Sequence, residues 1–163
     1  MVTVESLGGS GEEARNCFYV SSGGTRFLLD CGVLREISAV GRVYPLITKE
    51  IVSSIDAVFL SHAHEDHSAA LPYLYELGYR GPVFCHPETM VCAKSFMRKW
   101  VSYVKDKDGS LPLDENNIDL LNFCPLELGV TEISGVKVLA GRSAHMLGSL
   151  WYHFDFNSTT LLY

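Results

Sequence analysis

The stretch Ile55-Asp56-Ala57-Val58-Phe59-Leu60 is almost continuously apolar and rich in strand-forming residues. Such a run suits an interior strand covered on both faces. It runs directly into Ser61-His62-Ala63-His64-Glu65-Asp66-His67. In open α/β sheets the carboxyl end of a strand is the usual place for a ligand crevice.

The flanking residues fit that frame. After the histidines, Ser68 is positioned to cap a helix with an apolar face of Ala70, Leu71, Leu74 and Leu77. Pro72 is tolerated in its first turn, and Gly78 supplies the stop. Residues 82–85 read as the next strand, and residues 87–104 as a second helix with Met90, Val91, Phe96, Met97 and Trp100 toward the core. Strand, helix, strand, helix in that order favours an α/β layered fold over a bundle.

Upstream, residues 16–20 and 26–30 flank Ser21-Ser22-Gly23-Gly24, a hairpin signal. Residues 32–49 read as a long connection, and residues 49–54 as a short helix with Ile51 and Val52 inward. Residues 105–117 read as an exposed acidic loop without the spacing of a calcium-binding EF-hand. Residues 127–133, 136–140, 150–156 and 159–163 read as sheet. The last run is apolar and stops without a polar tail, so the expectation is a fold that continues past Tyr163.

A chain of 163 residues with 47% hydrophobic and 20% charged residues supports one domain with a core and excludes intrinsic disorder. Its net charge of -6 gives no global attraction to a phosphate backbone. The five cysteines include no CxxC pair, which argues against a disulfide framework and for a reducing cytoplasm. Neither a signal peptide nor an apolar stretch of about 20 residues is present, so a soluble protein without a membrane partner is expected.

Three histidines and an aspartate within six residues point to a metal. Alternate positions of an extended segment face the same way, so His62 and His64 can approach one ion. The following turn presents Asp66 and His67, giving nitrogen and oxygen donors suited to zinc or another divalent ion. His145, after a later strand, is read as the third nitrogen of the His62 and His64 site, with Gly148 permitting close backbone approach. Asp30 ends another strand; it is either a turn carboxylate or the group that holds a ligating imidazole. His86, His153 and Glu65 are read as structural or surface groups. Asp66 is the candidate catalytic residue, orienting a water and accepting its proton in metal-assisted hydrolysis.

These residues resemble the metallo-β-lactamase superfamily, whose HxHxDH motif matches His62-Ala63-His64-Glu65-Asp66-His67. Leu28-Leu29-Asp30-Cys31-Gly32 and Ser143-Ala144-His145-Met146-Leu147-Gly148-Ser149 resemble its early carboxylate and third metal motif. Leu7-Gly8-Gly9-Ser10-Gly11-Glu12 and Ala70-Leu71-Pro72-Tyr73-Leu74 add likeness to the β-CASP branch of RNA-processing nucleases, the RNase J and cleavage and polyadenylation specificity factor type. The resemblance implies an αββα sandwich of which residues 1–163 are the N-terminal portion, with later metal motifs and any β-CASP domain absent. It implies one zinc on His62, His64 and His145, and a second that Asp66 and His67 help bind in the complete protein. This chain alone would then hold one zinc or none, and its own activity stays open.

The leading expectation is therefore a metal-dependent phosphodiesterase or ribonuclease acting on single-stranded RNA as a full-length protein. A thioester, lactone or other small-molecule hydrolase of the same fold is the enzymatic alternative, and a non-catalytic metal-binding assembly module is the other. Homo-oligomerisation is left open.

Overall fold

A computed structural model of the chain describes residues 1–35 and 43–163. Part of the connection read at residues 32–49 therefore lies outside the described residues.

A six-stranded sheet is ordered β1(Val2–Gly8), β2(Cys17–Ser22), β3(Thr25–Leu29), β4(Ala57–Phe59), β5(Val83–Cys85) and β6(Phe123–Pro125). The first three strands are antiparallel, and β3 through β6 run parallel. A four-stranded antiparallel sheet is ordered β10(Thr160–Leu162), β9(Leu150–Asp155), β8(Val136–Arg142) and β7(Gly129–Ile133).

The pleat of the central strands explains the layering. Successive side chains point to opposite faces, so Leu28 and Val58 enter one core while Phe27, Leu29, Ala57 and Phe59 enter another. The first core is shared with the helices α1(Lys49–Ser54), α3(Leu71–Glu76) and α4(Pro87–Asp106). The second lies between the sheets, where Phe59 meets Phe27, Phe84, Tyr152 and Phe154 at ring-centroid distances of 4.9–5.5 Å. Burial on both faces is why the apolar run has no alternation, and losing a ring like Phe59 would cost about 3–5 kcal/mol. The layers are helices, sheet and sheet; the two sheets make the sandwich.

Several local expectations need correction. Ser68 does not cap the helix after the histidines: it closes a short helix of its own, α2(Glu65–Ser68), and its hydroxyl donates to the Ala63 carbonyl at 2.8 Å. The following helix starts after Ala70 without a side-chain cap, with Pro72 in its first turn. Val91 is 75% exposed, because it falls on the outer side of α4 while Met97 and Trp100 face inward. The polar segment after α4 ends in a further helix, α5(Asn117–Leu120), with Ile118 buried. Strands β1 and β6 carry no apolar alternation strong enough to announce them, since β1 is an edge strand with mostly exposed side chains. All five cysteines are free. No helix among the described residues is long and apolar enough to cross a membrane.

Candidate metal centre

The carboxyl ends of β3 and β4 lie side by side, which brings Asp30 next to Ser61 and the turn that follows it. The backbone secures that turn: Cys31 N–H donates to the His67 carbonyl at 2.7 Å, and Asn16 N–H to the Asp66 carbonyl at 2.8 Å. Gly32 leaves room for this crossing, since a Cβ there would sit 1.7 Å from the Asp66 carbonyl oxygen. From the second sheet, the loop after β8 carries His145, and Leu150 N–H donates to the Ser61 carbonyl at 2.9 Å. The two sheets thereby bring residues 62 and 145 together.

Three imidazole nitrogens converge. His64 Nδ1 lies 3.1 Å from His62 Nε2 and 3.2 Å from His145 Nε2, all three within 4.8 Å of one another. Two nitrogens on one tetrahedral zinc, with bonds of about 2.0–2.1 Å, would be roughly 3.3 Å apart. The cluster therefore has the donor type and spacing for one metal ion. His62 is buried, His64 half-buried and His145 exposed, so the centre opens to solvent on the His145 side.

Asp30 organises the base of the site. It is fully buried and has a left-handed backbone, φ 56°, an unusual conformation for a residue with a side chain. Oδ1 accepts from Ser61 N–H at 2.7 Å; Oδ2 accepts from the Ser61 hydroxyl at 2.7 Å, His67 Nδ1 at 2.6 Å and the Tyr163 hydroxyl at 2.6 Å. Because the Ser61 proton points to Asp30, Ser61 Oγ accepts from His62 Nδ1 at 2.9 Å. His62 thus carries its proton on Nδ1, leaving its Nε2 lone pair facing away from Asp30, while His67 donates from Nδ1 to Asp30.

The electrostatics separate these rings. Burial, followed by the nearby charge of His67, pushes His62 down to about 4. Burial and His145 also lower His64. Both are neutral at neutral pH, the form a metal needs. Burial opposes charge on His67 too, but the hydrogen bonds it donates to Asp30 and Asp66 outweigh it and push that ring up to about 9. Asp66 is held below its ordinary value, chiefly by its hydrogen bond to His67.

Asp66 and His67 adjoin the triad, the His67 ring packing on His62 at 4.0 Å between centroids. Asp66 Oδ2 is 3.4 Å from His67 Nε2, and the Asn16 side-chain nitrogen is 3.1 Å from that same Nε2. A cavity of about 310 Å³ borders His64, Glu65, Asp66 and Phe96, with Arg35 at its rim 3.6 Å from Glu65. A larger cavity of about 510 Å³ is walled by Tyr44, Tyr73 and Trp100 and touches none of the histidines of the triad. His86 caps α4 by accepting from Glu88 N–H at 3.3 Å, and His153 lies within β9. Neither joins the cluster.

Residues 10–153 match the Metallo-beta-lactamase superfamily. The chain belongs to that superfamily. Among curated proteins, this metallo-β-lactamase domain is similar to Transcription termination factor FttA of Methanosarcina mazei, 32% identical over 94% of this chain and 25% of the relative. It is 30% identical to Cleavage and polyadenylation specificity factor subunit 3-I of Arabidopsis thaliana, over 98% of this chain and 24% of the relative. Endoribonuclease YSH1 of Saccharomyces cerevisiae is 27% identical over 97% of this chain and 22% of its own length. The chain thus spans about a quarter of the length of these relatives. A crystal structure of a protein of unknown function from Enterococcus faecalis superposes with a TM-score of 0.73 at 18% identity, covering 99% of this chain and 42% of that one. The metallo-beta-lactamase fold protein YhfI of Bacillus subtilis gives 0.61 at 17% identity, covering 99% and 61%. Both agree in fold.

Ser61, Asn16 and Tyr163 are the residues that sequence reading did not bring to the site. Ser61 borders the histidine motif and could have been suspected from adjacency. Nothing local marks Asn16 or Tyr163, which arrive through β2 and β10.

Proposed function

We propose that this chain is the metal-binding part of a zinc-dependent phosphodiesterase of the β-CASP type, which cuts single-stranded RNA in the cytoplasm as the full-length protein. The observation that carries the reading is the convergence of His62 Nε2, His64 Nδ1 and His145 Nε2 at metal-ligand spacing. Similarity to a cleavage and polyadenylation factor subunit and to an endoribonuclease supports the choice of RNA.

In this reading His62, His64 and His145 hold one zinc, while Asp66 and His67 contribute to a second whose remaining ligands come from elsewhere in the full-length protein. Zinc when bound supplies Lewis-acid polarisation of the scissile group and an acidified water. Asp66, held ionised beside His67, is the group that would orient that water and accept its proton. Asp30 holds Nδ1–H of His67 directly and of His62 through Ser61, so Nε2 of each ring is the atom that would serve as a ligand, His62 for the first zinc and His67 for the second. Asp30 and Asp66 favour a second proton on His67, which that ring would have to lose to serve as a ligand.

The test is metal content by mass spectrometry and hydrolysis of a single-stranded RNA by the full-length protein, alongside His62→Ala and His64→Ala. Zinc and cleavage lost together in folded variants support the proposal. Cleavage that persists in both variants after rigorous chelation refutes it, and turnover of a thioester or lactone in place of RNA moves the protein to the small-substrate class.

A further inference from the structure

The His145 loop is tied to a helix that contributes no ligand. Thr89, in the first turn of α4, is fully buried, and its hydroxyl donates to the Gly148 carbonyl at 2.7 Å. Gly148 has φ 82°, and a Cβ placed on it would lie 2.7 Å from both Thr89 N and Thr89 Oγ1. The loop therefore rests directly on the helix turn, at a spacing only glycine permits.

Within the loop, Ser149 clamps the segment that bears the histidine. Its hydroxyl donates to the Met146 carbonyl at 2.7 Å, accepts from Met146 N–H at 3.1 Å and accepts from the Ser143 hydroxyl at 2.8 Å. These bonds hold the loop's shape but not its distance from His62 and His64. That distance depends on attachments to the rest of the protein: Leu150 N–H to the Ser61 carbonyl at one end, and Thr89 to Gly148. His145 itself is exposed; its ring meets His62 and His64 edge-on, at 4.8 and 5.0 Å between centroids, and the neighbouring Met146 packs on the first core.

We propose that Thr89 is a positioning residue for the metal centre: by anchoring Gly148 to the first turn of α4, it sets how closely His145 approaches His62 and His64. This rests on the metal-binding reading above. Thr89→Val keeps the volume, removes the donor and leaves the Gly148 carbonyl unpaired; Thr89→Ser keeps the donor. Partners that orient metal ligands typically matter by about 10–100-fold in metal affinity.

The experiment uses the full-length protein, with zinc affinity measured by competition against a chromophoric chelator and the cobalt-substituted visible spectrum as a report on ligand geometry. The expected result is that folded Thr89→Val binds zinc at least about 10-fold more weakly with an altered cobalt spectrum, while Thr89→Ser stays near wild type. Met97→Ala, which opens the buried face of the same helix away from the loop, serves as the stability control and should keep wild-type affinity. Should Thr89→Val not fold, Gly148→Ala presses on the same contact from the loop side and is expected to give the same loss. Wild-type affinity and spectrum in either folded variant overturn the proposal, as does an equal loss in Met97→Ala. A wild-type protein that binds no zinc refutes the metal-centre reading instead.

Discussion

Replacing Asp30 with asparagine keeps the shape of a fully buried side chain but removes the charge that His67 leans on. In the chelated wild-type chain, His67 is raised from 6.5 to about 9. A rise of that size is worth roughly 3 kcal/mol of differential stability, as an order of magnitude. Because the folded value lies above the unfolded one, this stabilisation is fully present below pH 6.5 and is lost as the pH climbs through 9. Urea unfolding of the metal-free 163-residue chain at several pH values between 6 and 9.5 would measure it. The buried thiols Cys17 and Cys85 also reduce stability at the alkaline end; burial, the main cause of their upward shift, acts in wild type and variant alike, and the Asp30 charge adds a smaller part in wild type only. The informative quantity is therefore the difference between the two curves. It should shrink by about 3 kcal/mol, or a substantial fraction of it, from pH 6 to 9. A difference that stays constant across that range would refute the assignment of the His67 charge to Asp30.

Other outcomes follow from the same geometry. His62, lowered to about 4 mainly by burial, is protonated more readily in the unfolded chain, so metal-free stability should fall as pH drops from 6.5 toward 4; His62→Gln should flatten that limb in an unfolding series. His145→Ala removes an exposed ring, so its effect on metal-free stability should stay within about 0.5 kcal/mol by thermal unfolding, while zinc content by mass spectrometry falls sharply. Gly32→Ala would drive a Cβ into the Asp66 backbone, which no rotamer change relieves; calorimetry should show destabilisation by more than about 2 kcal/mol together with loss of bound metal. Ser61→Ala breaks the relay from Asp30 to His62 and should lower zinc affinity by about 10-fold or more in a chelator competition.

What the sequence made legible was local. The run before Ser61 announced an interior strand because burial on both faces leaves its mark in the consecutive residues Ala57, Val58, Phe59 and Leu60. The hairpin, the helix over residues 87–104 and the strands of the second sheet carried comparable short-range signals. The edge strand β1 did not, because its exposed side chains owe their conformation to pairing with β2 rather than to burial. Ser68 was misread as a cap because a hydroxyl before an apolar run looks the same whether it caps the next helix or closes the previous turn. At the site, adjacency shows that His62 and His64 can share an ion. The contacts that hold their surroundings in place, such as Tyr163 on Asp30 and Thr89 on Gly148, join residues with no periodic or motif relationship.

The hub at Asp30 bears on the order in which the molecule assembles. Its partners are 31, 37 and 133 positions away along the chain. Contacts of such separation require loop closures that pay back only after the intervening segments have condensed. The tyrosine in particular reaches Asp30 only once β10 has paired with β9 and the second sheet has docked on the first. A refolding chain should regain helix and sheet signals before it regains ordered Asp30 contacts. Tight metal retention would then be among the last properties to return, making it a sensitive indicator of whether a preparation has completed its fold.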